Sequence, residues 1–283
     1  MKKVAILTDS TAYLPQNFVD QHEISSVPLV VIWEQETFED NVTITPTEFY
    51  SRLKTAKIMP STSQPSVGKM QSVMTSLLTQ GYDVMGIFIS SKLSGTVQSA
   101  MQARDLLPKG SQVEIFDSES TTIAMGFQVL AAARAAADGA SLSECRAVAE
   151  KARQQSGVYF MVDTLEFLYR GGRIGGAQRF LGTALNLKPI LFMHQGKIEA
   201  LERVRTKGKA LDRLIELVAE KCDGGTPVRL ASAHANSPVE AQALLDKAGE
   251  LLSPIESITC ELSPVVGTHV GPGTLALAYM TGM

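Results

Sequence analysis

An α/β fold is predicted for this chain, and three observations predict it. Short apolar runs (Val4 to Leu7, Val84 to Ile89, Val113 to Phe116) each give way to a polar, hydroxyl-rich loop and then a helical stretch. Such alternation marks a parallel sheet with helices on both faces. Past Ser156-Gly157 the pattern changes to a hairpin and mixed strands, as expected of a second α/β unit with a partly antiparallel sheet. The length, 283 residues, suits two domains better than one. The expected units are therefore residues 1–156, bearing hydroxyl-rich ligand loops, and residues 157–283, bearing a hairpin and a Gly-Pro-Gly loop.

In order, Val4 to Leu7 reads as a buried strand that opens into Thr8-Asp9-Ser10-Thr11, and Val27 to Ile32 as a second strand. Thr45, Pro46 and Glu48 spell a capped helix start, with the helix running to Lys54. Met59-Pro60-Ser61-Thr62-Ser63-Gln64-Pro65-Ser66 is expected to be an ordered loop before a helix from Val67 to Leu78. The strand Val84 to Ile89 ends in Ser90-Ser91-Lys92-Leu93-Ser94-Gly95-Thr96 and leads to a helix from Val97 to Leu107. Val113 to Phe116 ends in Asp117 to Thr122, followed by helices from Ile123 to Ala137 and Leu142 to Gln155, the latter capped by Ser141 and Glu144. The second half offers strands at Val158 to Val162, Pro189 to Met193, Ile198 to Val204, Val228 to Ala233 and Ile255 to Leu262. Helices are expected at Lys209 to Ala219 and Val239 to Leu251. The chain closes on Gly267-Thr268-His269-Val270-Gly271-Pro272-Gly273-Thr274, expected to lead into an apolar helix. Ligands of a parallel α/β sheet collect beyond the carboxyl ends of its strands, so the hydroxyl loops should share one edge.

Composition narrows the function. An apolar fraction of 45% with 19% charged residues is that of a globular protein with a sizeable core. A net charge of −3 argues against nucleic acid held through phosphate contacts. No apolar run approaches the roughly 20 residues that span a bilayer. The N-terminus meets Asp9 too soon for a signal peptide, and it reads as the first strand of a cytoplasmic protein. Cys145, Cys222 and Cys260 are odd in number and widely spaced, so they read as buried or idle thiols.

Ser and Thr in loops usually form turns or cap helices. Thr62 and Ser94 are set apart because both enter helix starts on the same expected edge, where backbone N–H groups favour an anion. A hydroxyl donates one hydrogen bond to a carboxylate. His269 is framed by glycines that permit close ligand approach. Should it donate to an anion, its charged form would be favoured. Arg170 and Arg173, around a Gly-Gly pair, and Arg203 and Arg205, by the hairpin, read either as solvated ion pairs or as phosphate- or partner-docking groups. The pattern Ser66-Val67-Gly68-Lys69 matches S-x-x-K without its companion motifs. A triad of Ser94, His269 and Asp9 or Asp117 has no supporting spacing. Nothing in the sequence asks for a metal, nucleotide or other cofactor.

Taken together, Thr8-Asp9-Ser10-Thr11, the Ser61 to Ser66 loop, Ser90 to Thr96, Leu168 to Ile174, Lys188-Pro189-Ile190 and His269 to Gly273 resemble the DegV family in content and order. That family includes the FakB fatty acid-binding subunits of bacterial fatty acid kinase. The resemblance implies two α/β domains, a long-chain fatty acid in an apolar tunnel, and a carboxylate held by Thr62 and Ser94 with His269 close by. Ser61, Ser63, Gly95 and Thr96 become further ligand-loop candidates, and Arg205 the nearest match to an arginine associated with the phosphate or the kinase. It also implies no chemistry in this chain itself: a separate ATP-using kinase subunit phosphorylates the bound acid for phospholipid synthesis, with transient membrane contact. Gln128 and Ala276 depart from the family pattern and are expected to reshape the tunnel. The other readings are a serine-dependent hydrolase or acyltransferase using Ser94 or Ser66, and a lipid sensor without a kinase.

Overall fold

A computed structural model describes residues 3–182 and 187–283. Met1 and Lys2, where the reading of the N-terminus began, lie outside them. In the first half the order is β1 (Val4–Asp9), α1 (Gln16–Gln21), β2 (Ser25–Val27), β3 (Val30–Trp33), β4 (Glu36–Glu39), α2 (Pro46–Leu53) and β5 (Ser61–Ser63). It continues with α3 (Val67–Thr79), β6 (Asp83–Phe88), α4 (Thr96–Asp105), β7 (Val113–Asp117), α5 (Thr122–Ala137) and α6 (Leu142–Gln155). The second half holds β8 (Ser156–Met161), α7 (Glu166–Arg170), β9 (Lys188–His194), β10 (Lys197–Val204), α8 (Lys207–Cys222) and β11 (Val228–His234). It ends with α9 (Pro238–Leu252), β12 (Glu256–Glu261), α10 (Pro264–Val270) and β13 (Leu275–Thr281).

The fold is α/β, as the alternation predicts. Strands β2-β1-β6-β7 form an all-parallel sheet. Strands β10-β9-β8-β13-β11-β12 form a mixed sheet in which β11 and β12 are parallel and the other pairs antiparallel. A small antiparallel sheet, β4-β3-β5, stands beside them. Helix α5 joins the two large sheets. It is buried from Thr122 to Ala133 and packs against β1 and β6 of one sheet and β8, β11 and β13 of the other. A helix apolar on every side suits that place. Gly126 lets α5 approach the first loop, since a Cβ there would lie 2.5 Å from the Ala12 carbonyl oxygen. One apolar cluster consequently runs from Ile6 through Phe127 to Phe160 and Ala278.

Four expectations are corrected. Val27 to Ile32 is two strands rather than one, broken at Pro28-Leu29, where proline removes a ladder donor. Ser61–Ser63 is a strand, paired to β3 with Thr62 opposite Val31, instead of a loop. The last apolar stretch is β13, not a helix. Its Ala and Leu residues favour helix locally, but it runs as a central strand hydrogen-bonded to β8 and β11, and tertiary pairing overrides propensity. His269 does not precede a helix: it lies in the last turn of α10, which Gly271, at φ 76°, terminates. The three cysteines are free, Cys145 and Cys222 buried and Cys260 partly so.

Candidate functional site

Much of the hydroxyl-rich edge is occupied in building the edge itself. The Asp9 carboxylate, buried at the end of β1, accepts from Thr11 Oγ1 (2.6 Å), the Thr11 N–H (2.9 Å) and the Ile89 N–H (2.8 Å). Burial raises its pKa and those three donors oppose the rise. Thr8 Oγ1 donates to the Ile87 carbonyl. Ser90 Oγ donates to the Gly196 carbonyl at 2.7 Å and so docks the β9–β10 turn onto the parallel sheet. Ser66 accepts the Lys69 N–H as the cap of α3, while Lys69 Nζ pairs with Glu39 at 3.2 Å. That S-x-x-K pair is a cap and a surface ion pair.

Thr62, Ser94 and His269 are brought together on the wall of one cavity of about 810 Å³, its mouth included. The rest of the wall is mainly apolar, with Leu29, Ile89, Val158, Phe160, Met193 and Val266 contributed from both large sheets and their connections. Thr62 Oγ1 and His269 Nε2 are 2.8 Å apart. Ser94 Oγ lies 2.9 Å from Thr96 Oγ1. Ser63 also lines the cavity, Ser61 is exposed, Gly95 caps α4, and Thr96 is buried as the first residue of that helix. A side chain at Gly95 would press on Gln64, its Cβ 3.0 Å from Gln64 Cδ, and Gln64 itself lines the cavity.

Arg173 is placed differently from Arg170 and Arg205. It lines the cavity, donating from Nε to the Leu93 carbonyl (3.0 Å) and from Nη1 to the Gly171 carbonyl (2.7 Å). Arg170 is exposed and paired with Glu166 at 2.5 Å, and Arg205 is exposed beyond β10; neither lines the cavity. The sequence singled out Arg173 but not its entry into the cavity wall, which depends on the fold of Gly171-Gly172 around it. Gln64 carried no signal beyond its neighbours.

His269 is pushed down to about 4, first by burial and then by the charge of Arg173. Its Nδ1 is buried without a hydrogen-bond partner, packed against Gly171. The ring is therefore neutral near pH 7. A proton on Nδ1 would be an orphaned donor, so the favoured tautomer carries it on Nε2 and donates to Thr62. The Thr62 oxygen then accepts, and its own O–H is directed away from His269. The triad of Ser94, His269 and an aspartate is not formed: Ser94 bonds Thr96, His269 bonds Thr62, and Nδ1 has no carboxylate. Among the described residues no group of His, Cys, Asp or Glu is placed to hold a metal ion. Of Ala276 and Gln128, both expected to reshape the tunnel, Ala276 lines the cavity and Gln128 does not.

A family model described as "Uncharacterised protein, DegV family" matches residues 3–282. The chain belongs to the DegV family. Protein DegV of Bacillus subtilis is 37% identical over 278 residues, 98% of each chain. Among solved structures, a DegV family protein from Thermus thermophilus, described by its fatty acid binding, superposes with a TM-score of 0.93 at 35% identity, covering 99% of each chain. DegV from Bacillus subtilis, described as a fatty acid binding protein, does so at 0.91 and 35%, covering 99% of this chain and 100% of its own. Among the described residues no helix is long and apolar enough to cross a membrane.

Proposed function

We propose that this DegV-family member binds one long-chain fatty acid, its tail in the apolar cavity and its carboxylate at Thr62, Ser94 and His269, with the Arg173 guanidinium compensating the charge. The observation that carries this reading is the hydrogen-bonded Thr62–His269 pair in the wall of a mainly apolar cavity. Burying about a dozen methylenes at ~0.8 kcal/mol each provides on the order of 10 kcal/mol before ordering costs. The head group needs donors because an unpaired buried carboxylate would protonate instead. Similar proteins described as fatty acid binding support the same reading.

The proposed role is that of a carrier, not an enzyme. Held between residues 1–156 and 157–283, acting as two domains, the acid is presented to a separate ATP-dependent kinase subunit in the cytoplasm of a bacterium. The acyl phosphate formed there feeds phospholipid synthesis, after transient contact with a membrane surface supplies the acid. Arg170 and Arg205, exposed outside the cavity, are the proposed contacts for the kinase or its phosphate. Native mass spectrometry of the purified chain tests the binding step: one fatty acid per chain is expected. Protein that stays lipid-free when offered oleate or palmitate would remove the basis of the proposal. Acyl phosphate formed only when chain, kinase and ATP are combined tests the presentation step.

A further inference from the structure

The small sheet carrying Thr62 and the helix carrying His269 are linked at a single buried carboxylate. Asp40 immediately follows β4 and is 1% exposed. Its Oδ2 accepts from Ser10 Oγ and from Ser263 Oγ, both at 2.7 Å, and its Oδ1 accepts the Val265 N–H at 3.0 Å. The Ser263 hydroxyl also meets the Tyr13 hydroxyl at 2.8 Å, and Ser10 Oγ accepts the Leu29 N–H. Ser263 is the N-cap residue of α10 but makes no cap bond with its own side chain, so Asp40 fills that role from a distant element. At seven residues α10 is far too short to persist alone, and its placement depends on such contacts.

We propose that Asp40 is a positioning residue for the carboxylate site, fixing α10 against the β4-β3-β5 sheet so that His269 meets Thr62. The geometry is direct. Val265 and His269 are four residues apart and share a helix face, so a bond at Val265 sets the rotation that aims the His269 ring. Thr62 lies on β5, paired through β3 with β4, whose end bears Asp40. Val265 also packs with Leu29 and Val31, which seals the same junction with apolar surface. The ionised carboxylate accepts all three donors. Protonation turns one acceptor into a donor facing donors, which loosens the junction. Burial pushes Asp40 up to about 6. The titratable groups facing it are Asp9 on β1, Tyr13 in the loop after β1 and Tyr50 on α2, the last near Glu261 of β12.

This inference rests on the proposed head-group site, and the test separates the two. Affinities for a fatty acid and for the alcohol of the same chain length are measured on wild type, Asp40→Asn and Ser263→Ala. A mispositioned site harms only the head. Asp40→Asn is expected to reduce the acid-over-alcohol preference roughly tenfold, about one good hydrogen bond, with alcohol affinity changed less than about twofold. Ser263→Ala, which leaves the Val265 bond in place, is expected to fall between and serves if Asp40→Asn does not fold. The wild-type preference should decline as pH falls through about 6, and the Asp40→Asn preference should lack that step. A preference unchanged by both substitutions, or equal losses for acid and alcohol, overturns the role of Asp40 while leaving the head-group site standing. A wild type that does not prefer acid to alcohol overturns the head-group site and this inference with it.

Discussion

Burial holds the His269 ring neutral at the site proposed for the carboxylate. Its pKa is about 4 in the folded chain against an ordinary 6.5, so between those values the unfolded state binds more protons. Stability contributed by keeping the ring neutral is therefore present above about 6.5 and is lost as pH falls towards about 4. A shift of that size corresponds to on the order of 3 kcal/mol. Asp40 acts in the opposite sense: its folded pKa, about 6, lies above 3.8, so its ionisation reduces stability as pH rises between them. The comparison must be a difference. Denaturant melts of wild type minus His269→Gln, across pH values from about 4 to 7, should show a gap that grows with pH. A gap independent of pH would mean that the ring is not held neutral by its surroundings. At the head group, Thr62→Ala combined with Ser94→Ala should weaken fatty acid binding at neutral pH by about 10- to 100-fold, since each lost hydroxyl removes about 1 kcal/mol. A calorimetric titration with oleate checks this, and unchanged affinity would place the carboxylate elsewhere.

Elements fixed by local chemistry were legible in the sequence, and those fixed by distant partners were not. Thr45 and Glu48 cap α2 reciprocally, and Ser141 and Glu144 cap α6, as their spacing predicts. Removing one such box tests how local it is. Thr45→Ala should lower stability by about 1 kcal/mol in a denaturant melt while leaving fatty acid affinity unchanged, because no residue of α2 lines the cavity. A loss of affinity would show that α2 transmits to the site. By contrast, Ser61–Ser63 has three hydroxyl residues between prolines and no periodic pattern. It is a strand because Val30, Val31 and Ile32 offer it a ladder. The same holds for β13, whose neighbours arrive from residues 156–161 and 228–234. Thr62, Ser94 and His269 could be singled out by residue type and loop context together with the family resemblance. The cavity position of Arg173 and the Asp40 junction needed the tertiary packing of Gly171 and of α10.

At the scale of the molecule, the cavity exists because α5 and its neighbours hold two sheets against each other without filling the space between them. Its walls come from both: Ile89 follows β6, and Val158, Phe160 and Ala276 sit on β8 and β13. Ala276 is 4% exposed and pairs with Phe160 across the ladder, so the wall there is a small side chain beside a large one. On the proposed reading, a small residue on this apolar wall leaves room for a long tail. Ala276→Phe should project into that room and shorten the chain accepted. Each methylene excluded from the cavity forfeits about 0.8 kcal/mol, so displacing three of them weakens a long acid by roughly 2–3 kcal/mol, or about 30- to 150-fold, while a shorter acid that ends before the new ring loses little. The head group contacts are untouched, so the acid-over-alcohol preference should persist in the variant. Native mass spectrometry after co-expression should then show copurifying acids displaced to shorter chains. The same chain-length distribution in Ala276→Phe as in wild type would mean that the tail does not pass this wall, and the channel would have to be traced along Met193 and Ile198 instead.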